Sequence, residues 1–422
     1  MDTGDTAWIL TSAALVLLMT PGLAFFYGGM TRSKSVLNMM MMSFAALAIV
    51  PVLWVLYGYS FAFSPGGNGW LGGFERLGFS GVGVETAYGT IPEFVFAGFQ
   101  LMFAIITVAL ISGAIADRAR FSGWIVFVVI WVSVVYFPVA HWVFDFGDDG
   151  GWIATGIEAV DFAGGTAVHI NAGAAALALA LVLGKRHGWR KDPMRPHNLP
   201  FVLLGAGLLW FGWFGFNAGS ALGANGLAAL ALLNTAVATA AAIVGWLLYE
   251  FVKEKKGTSL GAASGAVAGL VAITPAAGAL SPLGSVLLGL VAGVLCAAAV
   301  GLKYRVGIDD SLDVVGVHLV GGLVGTVLIG FLATTSTGGG APVDGLFYGG
   351  DAALLGTQIL AAVVVMAFSF VLTFVIGTLV DKTIGFRLDE EFEVTGIDQV
   401  EHLESAYDHA GGAGGSSFKT GA

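Results

Sequence analysis

The stretch DFAGGTAVHINAGAAALALALVL, residues 161–183, opens on an aspartate and a glycine pair, carries a histidine eight residues on, and then runs apolar to Leu183. At about 1.5 Å of rise per residue such a run crosses the roughly 30 Å hydrocarbon layer of a bilayer as a helix. An ionisable side chain inside it costs about 2.5 to 3.5 kcal/mol on insertion scales and by default marks a pathway or a proton relay. The fold class predicted from this stretch is an all-α integral membrane protein.

The rest of the chain reads the same way. Of 422 residues, 57% are hydrophobic, 11% are charged and 64 are glycine, more apolar surface than one water-exposed core can bury. Apolar windows predict eleven spans, near 7–29, 36–63, 92–116, 121–144, 162–183, 199–219, 228–252, 258–277, 282–302, 313–332 and 353–380. The first, MDTGDTAWILTSAALVLLMTPG, has no basic residue ahead of it and no small-residue cleavage site, so it reads as a retained span rather than a signal peptide. The single cysteine, Cys296, lies in an apolar run; it rules out a disulfide framework or a cysteine-based zinc site and reads as a small buried hydrophobe. The net charge of −10 names no partner, and no nucleic acid is expected.

With eleven spans, all but one of the 18 Lys and Arg residues fall on one side, Arg76 alone lying opposite. Short cytoplasmic loops retain such residues, so the N-terminus is predicted outside and the tail inside. An odd count suggests two five-span halves, spans 1–5 and 6–10, plus one extra helix; a five-span repeat must be inverted in the membrane. Asp161 precedes His169 by eight residues and Asp310 precedes His318 by eight; in the same register Val168 matches Val317 and Gly173 matches Gly322. Spans five and ten are then equivalents, and their histidines meet near a pseudo-twofold axis, where transporters place their substrate sites. Gly261, Gly265 and Gly269, and Gly321 with Gly325, have the four-residue spacing that lets helices pack closely in lipid.

Two neutral imidazoles can hydrogen-bond to each other and leave their outer nitrogens to line a pore. A lone buried histidine is as readily a satisfied structural residue; two at matched repeat positions favour function. Asp161, at the start of span five, reads first as a cap on free backbone N–H groups and second as a contact for a permeant; the same reading applies to Asp310 and Asp313. Phe99 and Phe103 fall one turn apart on one face, and span six offers Trp213, Phe216 and Ser220. Such aromatics pack a core or form a vestibule that attracts ammonium-type cations by roughly 0.5 to 2 kcal/mol, and periodicity does not separate the two.

PGLAFFYGGM (21–30), FQLMFAIITVALISGAIADRARF (99–121), DFAGGTAVHINAG (161–173), WFGFNAGSAL (213–222) and DVVGVHLVGG (313–322) resemble, in order from about residue 7 to 408, the Amt branch of the Amt/Mep/Rh ammonium transporters. The resemblance implies a homotrimer of eleven-helix protomers in the cell membrane, each with its own pore and no cofactor. It implies His169 and His318 as paired pore histidines, and Phe103 and Phe216 as stacked rings gating the outer entrance. Ser220, Phe103 and Phe144, with Phe99 and Trp213 nearby, are implied as an outer ammonium recruitment site, supported by Asp161. Relatives are expected to carry tryptophan after AHWV; here Phe144 stands there, and either Trp152 or the acidic residues Asp145, Asp148 and Asp149 are expected to compensate. Residues 1–381 form the transporter domain, 382–409 a cytoplasmic regulatory tail implied to dock a PII-type signalling protein, and 410–422 a disordered end. Leu403 stands in the tail where a glycine is more usual.

The function so implied is transport, not catalysis. Ammonium, and methylammonium as its analogue, is recruited among the aromatic rings and deprotonated; ammonia crosses a hydrophobic pore, with the proton transferred separately. An electroneutral ammonia channel of the Rh type and an ammonium sensor are the alternatives. A metalloenzyme built on His169, His318 and Asp161 lacks a third strong ligand and a placed general base.

Overall fold

The computed structural model describes residues 1–407, so the end at 410–422, expected to be disordered, lies outside the described residues. The predicted windows are helical, with bounds shifted by a few residues. They are α1 (Thr3–Met30), α2 (Val36–Phe63), α3 (Glu93–Ile115), α4 (Phe121–Phe144), α5 (Gly165–Leu183), α6 (Leu199–Gly219), α7 (Gly226–Glu254), α8 (Ser259–Ile273), α9 (Pro282–Val306), α10 (Val315–Leu332) and α11 (Ala353–Thr383). Ten are long and apolar enough to cross a membrane; α8, at 15 residues, is shorter than its window. It ends at Ile273, two residues before Pro275, which has no N–H with which to continue the helical hydrogen bonds. The chain is a multi-pass helical membrane protein. Of those ten, α5 is the most enclosed, with 83% of an apolar 18-residue stretch buried, and α11 the least, with 33%.

Close backbone approach sets the packing. A Cβ on Gly205 would lie 2.3 Å from the Phe26 amide nitrogen, so α1 and α6 touch backbone to backbone. Gly265 and Gly269 of α8 meet Trp246 and Ala242 of α7, and Gly325 of α10 sits against the Ala272 carbonyl of α8. The glycine spacings in the sequence are therefore helix contacts.

On the face that carries the tail, loop charges are structural. Arg186 Nη2 bonds Asp309 Oδ1 at 2.8 Å and its Nη1 bonds Asp117 at 3.1 Å, while Arg32 approaches Asp117 at 3.3 Å. Arg118, fully buried, donates to the Asp309 carbonyl and the Ser311 hydroxyl. Four separate loops are thus pinned together. The tail forms two short helices, α12 (Glu390–Thr395) and α13 (Ile397–Glu401), and supplies caps that α2 and α4 lack. Asp398 accepts from the Leu37 and Asn38 amides at 3.0 and 2.8 Å, and Glu401 accepts from the Phe121 amide at 2.9 Å, satisfying donors that the first turn of a helix leaves free. Leu403 takes φ +55, the left-handed conformation natural to glycine, at a cost of roughly 1–2 kcal/mol.

Burial works against the charge on Asp309, but hydrogen bonds and Coulomb attraction from Arg186, then attraction from Arg118, outweigh it and hold its carboxyl below the usual range. A carboxyl lowered in the folded state stabilises it above the unfolded pKa near 4 and loses that contribution as pH falls through the folded value. Arg186→Met, which strands Asp117 and Asp309, is expected to lower stability by about 3–5 kcal/mol at neutral pH, read as thermal unfolding in detergent. The gap between variant and wild type should shrink as pH drops below about 4.

Candidate functional site

Four helices build a path from the face that carries the N-terminus. α3 presents Phe99 and Phe103, whose rings lie 4.9 Å apart edge to face; α6 lays Phe216 flat on Phe103, centroids 4.2 Å apart and planes at 25°. Phe144, at the end of α4, stands edge-on to Phe103 at 6.1 Å. Above the stacked pair opens a vestibule of about 560 Å³ lined by Phe99, Phe103, Phe144, Asp161 and Ser220 among others. The Ser220 hydroxyl donates to the Phe216 carbonyl at 2.8 Å, which leaves its lone pairs to accept from an N–H donor.

Beneath Phe216 lies a void of only about 10 Å³ with an apolar wall of Ile106, Leu110, Val168, Trp213 and neighbours. Phe103 borders the vestibule and Phe216 the void, so the stacked rings separate the two. His169 and His318 face this void, their Nδ1 atoms 3.3 Å apart and their rings 24° from parallel. One Nδ1–H donating to the other bare Nδ1 requires opposite tautomers, so the pair offers one Nε2 acceptor and one Nε2–H donor. His169 Nε2 is enclosed and has no protein partner. Trp213 stacks on His169 at 5.4 Å and is held by a 2.8 Å bond from its Nε1 to Thr274 Oγ1.

Both histidines sit in wide, π-type turns that open their helices, Gly165–Ile170 and Val315–Leu319; such turns leave the α-helical repeat and re-aim side chains. Asp161 anchors the first. It accepts from the Gly164, Gly165 and Thr166 amides at 2.7 Å each and from the Thr166 hydroxyl. Gly164, at φ +114, makes the reversal that allows this. Asp310 repeats the arrangement, accepting from the Val314 and Val315 amides at 3.1 and 2.8 Å. Gly173 seats against the Leu319 amide, a Cβ there coming within 2.4 Å; Gly322 seats against Ile170 in return. With a register offset of Asp161 to Asp310, these two contacts are the same contact made twice.

The structure brings Phe99, Phe103, Phe144, Asp161 and Ser220 to one vestibule and His169, His318, Phe216 and Trp213 to the void below. Trp213, grouped by the sequence reading with the outer site, lies on the inner side because its helix turns it towards His169. Trp152 does not take the place of tryptophan at 144. It packs on Trp70 and Trp142, centroids 5.6 and 6.0 Å away. Asp145 is drawn to His141 at 3.2 Å rather than into the vestibule. Sequence reasoning missed Thr274, which fixes Trp213, and Gln358 of α11, whose amide bonds the backbone of Val160 in both directions and so anchors the loop leading to Asp161. A glutamine in an otherwise apolar helix was the available signal. Among the described residues no three His, Cys, Asp or Glu side chains group as metal ligands.

Residues 7–407 match the model of the Ammonium Transporter Family. The chain is 58% identical to the ammonium transporter of Mycobacterium tuberculosis, over 98% of this chain and 92% of that one, and 50% identical to the ammonium transporter of Bacillus subtilis, over 96% and 99%. Its fold is similar to the crystal structure of Candida albicans Mep2 (TM-score 0.85, 35% identity, covering 93% of this chain and 87% of that one) and to a structure described as a sensor Amt protein (TM-score 0.87, 29% identity, 94% and 98%). A multi-pass helical membrane protein with these relatives belongs to a class of membrane transporters and channels. This chain belongs to the ammonium transporter family.

Removing the carboxylate at 161 would leave several buried donors unpaired, each costing about 1–3 kcal/mol. Asp161→Ala is expected to lower the melting temperature in detergent by several degrees and to speed amide exchange across 162–170. Melting and exchange like wild type would deny Asp161 this structural role.

Proposed function

We propose that the protein carries ammonium across the cell membrane through a pore in each protomer, and that the stacked Phe103–Phe216 pair, dividing a wide aromatic vestibule from a narrow apolar void with two imidazoles, carries the reading. Ammonium is recruited at Phe103, Phe144 and Ser220, with Phe99 completing the wall. Moving the intact cation into that void would cost many kcal/mol. Ammonium therefore parts from its proton above the rings, and neutral ammonia crosses beside His169 and His318. Potassium is close to ammonium in size but has no proton to give, so it is refused. The proton passes separately along the histidine pair, and net transport carries charge. Asp161 holds the helix start and vestibule floor in shape.

The same reading counts α8 as a span, which brings the total to eleven, puts the N-terminus outside and the tail inside, and relates α1–α5 to α6–α10 as inverted repeats, with α11 the extra helix. The reciprocal Gly173–Leu319 and Gly322–Ile170 contacts support that relation. Protomers assemble as a homotrimer, with residues 1–381 as the transporter domain and the tail from 382 as a regulatory element for a PII-type partner. A sensor role is the second reading, favoured by the similarity to the sensor Amt structure; relatives described as ammonium transporters at 50–58% identity favour transport.

In proteoliposomes, wild-type protein is expected to give ammonium-evoked current with potassium current at the background level, and the His169→Ala, His318→Ala double variant to lose at least about tenfold of the ammonium current, a barrier change of roughly 1.4 kcal/mol. Potassium current comparable to ammonium would sink the deprotonation mechanism, and unchanged current and selectivity in the variant would remove the histidines from it. Phe144→Trp enlarges the ring facing the vestibule and should lower the ammonium KM by about two- to fivefold, the equivalent of roughly 0.5–1 kcal/mol of cation attraction. An unchanged or higher KM would count against Phe144 as part of the recruitment site.

A further inference from the structure

His141 and Asp145, one turn apart at the end of α4, have no task in the mechanism proposed above. His141 is fully buried, yet both of its ring nitrogens meet oxygens. Nδ1 lies 2.9 Å from the Ala62 carbonyl of α2 and 3.2 Å from Asp145 Oδ2, and Nε2 lies 2.6 Å from the Asn68 carbonyl in the loop after α2. A carbonyl can only accept, and a neutral imidazole has one N–H and one bare nitrogen. Either neutral tautomer would therefore aim a lone pair at a carbonyl oxygen across hydrogen-bond distance. Only the imidazolium, donating from both nitrogens, satisfies these neighbours.

A buried charge needs a counter-charge. Among the described residues Asp145 is the ionisable side chain paired with the ring; the other two partners are backbone. The last turn of a helix, with its free carbonyls, also favours a cation, and α4 ends at Phe144. Asp145 is itself held in place: its Oδ1 accepts from the Gly147 amide at 3.0 Å and its carbonyl from the Gly151 amide at 2.9 Å. The imidazole thus ties together the end of α2, the loop at Asn68 and the end of α4. Phe144 and Phe146, on either side of Asp145, both line the vestibule. As the last residue of its helix, Phe144 has no further turn to fix its ring.

We propose that His141 is a positioning residue for the recruitment site: an imidazolium, paired with Asp145, that fixes the end of α4 and so holds Phe144 edge-on to Phe103. The proposal rests on Phe144 belonging to that site. In the full chain in liposomes, labelled with 15N-histidine, the His141 ring is expected to show two N–H signals at about pH 7.5, where an ordinary histidine with a pKa near 6.5 is mostly neutral. Their loss in His141→Gln assigns them. Asp145→Asn, which keeps the shape and removes the counter-charge, should leave one. A single N–H in the wild type would overturn the proposal. In flux assays His141→Gln, which can donate to only one of the two carbonyls, should raise the ammonium KM at least about fivefold, the scale of a lost hydrogen bond to a charged group, without lowering maximal flux. Asp145→Asn should act in the same direction, and the double variant no more strongly than the stronger single one, because the two residues act as one pair. Fully additive effects, or a lowered melting temperature or maximal flux at unchanged KM, would overturn the proposal; if His141→Gln does not fold, Asp145→Asn carries the same test. If Phe144→Ala leaves the ammonium KM unchanged, the recruitment reading itself fails; a raised KM there, with His141→Gln and Asp145→Asn at the wild-type value, defeats only this inference.

Discussion

The crossing of α5 and α10 is the contact on which the rest of the molecule depends. Gly173 and Gly322 remove the side chains that would hold the two helices apart, and each admits the backbone or a branched side chain of the other. Only at that separation do His169 and His318 come within 3.3 Å, nitrogen to nitrogen. Each imidazole then offsets part of the other's desolvation, which neither could do alone in an apolar interior. A methyl group at Gly173 would come within 2.4 Å of the Leu319 amide nitrogen, so the crossing would have to shift before it could be accommodated.

Holding such a crossing in place requires that the helix starts around it be satisfied from within the protein, since lipid offers no hydrogen bonds. Asp161 and Asp310 do this for the two histidine-bearing turns, and Gln358 does it for the approach to Asp161. On the face that carries the tail, which Asp310 shares, Asp398 and Glu401 reach back from the tail to cap α2 and α4, and Arg387 donates to the Leu183 carbonyl at the end of α5. The tail is therefore bonded to the ends of three spans, a mechanical link between a surface element and the pore helices.

The aromatic rings and imidazoles divide the work by their surroundings. The vestibule is wide, open and bordered by a hydroxyl oxygen, conditions in which a hydrated cation can exchange water for ring faces. The void beneath the stacked pair is narrow and apolar, conditions in which only a neutral species travels cheaply. On the mechanism proposed above, selectivity follows from chemistry that a simple sieve lacks: a permeant must be able to leave its charge behind.

Much of this was legible in the sequence because the membrane imposes a strong pattern. Apolar windows located the helices, since each span must be long and apolar to exist in lipid, and the matched eight-residue spacing of aspartate and histidine pointed to equivalent helices. Glycine spacing announced close packing without saying against what; Gly265 needed α7, and Gly325 needed α8, to acquire a meaning. What only the tertiary structure decided were relations across the chain. Trp213 faces inward, Trp152 belongs to a separate aromatic cluster, and the arginines that served as orientation signals are partly buried in the Asp117–Arg186–Asp309 network. The physical reason is that composition and period govern what a segment can bury, which is local, whereas a ring, a carboxylate or a guanidinium takes its role from the partner it meets. Those partners, in the case of His169 and His318, lie 149 residues apart along the chain.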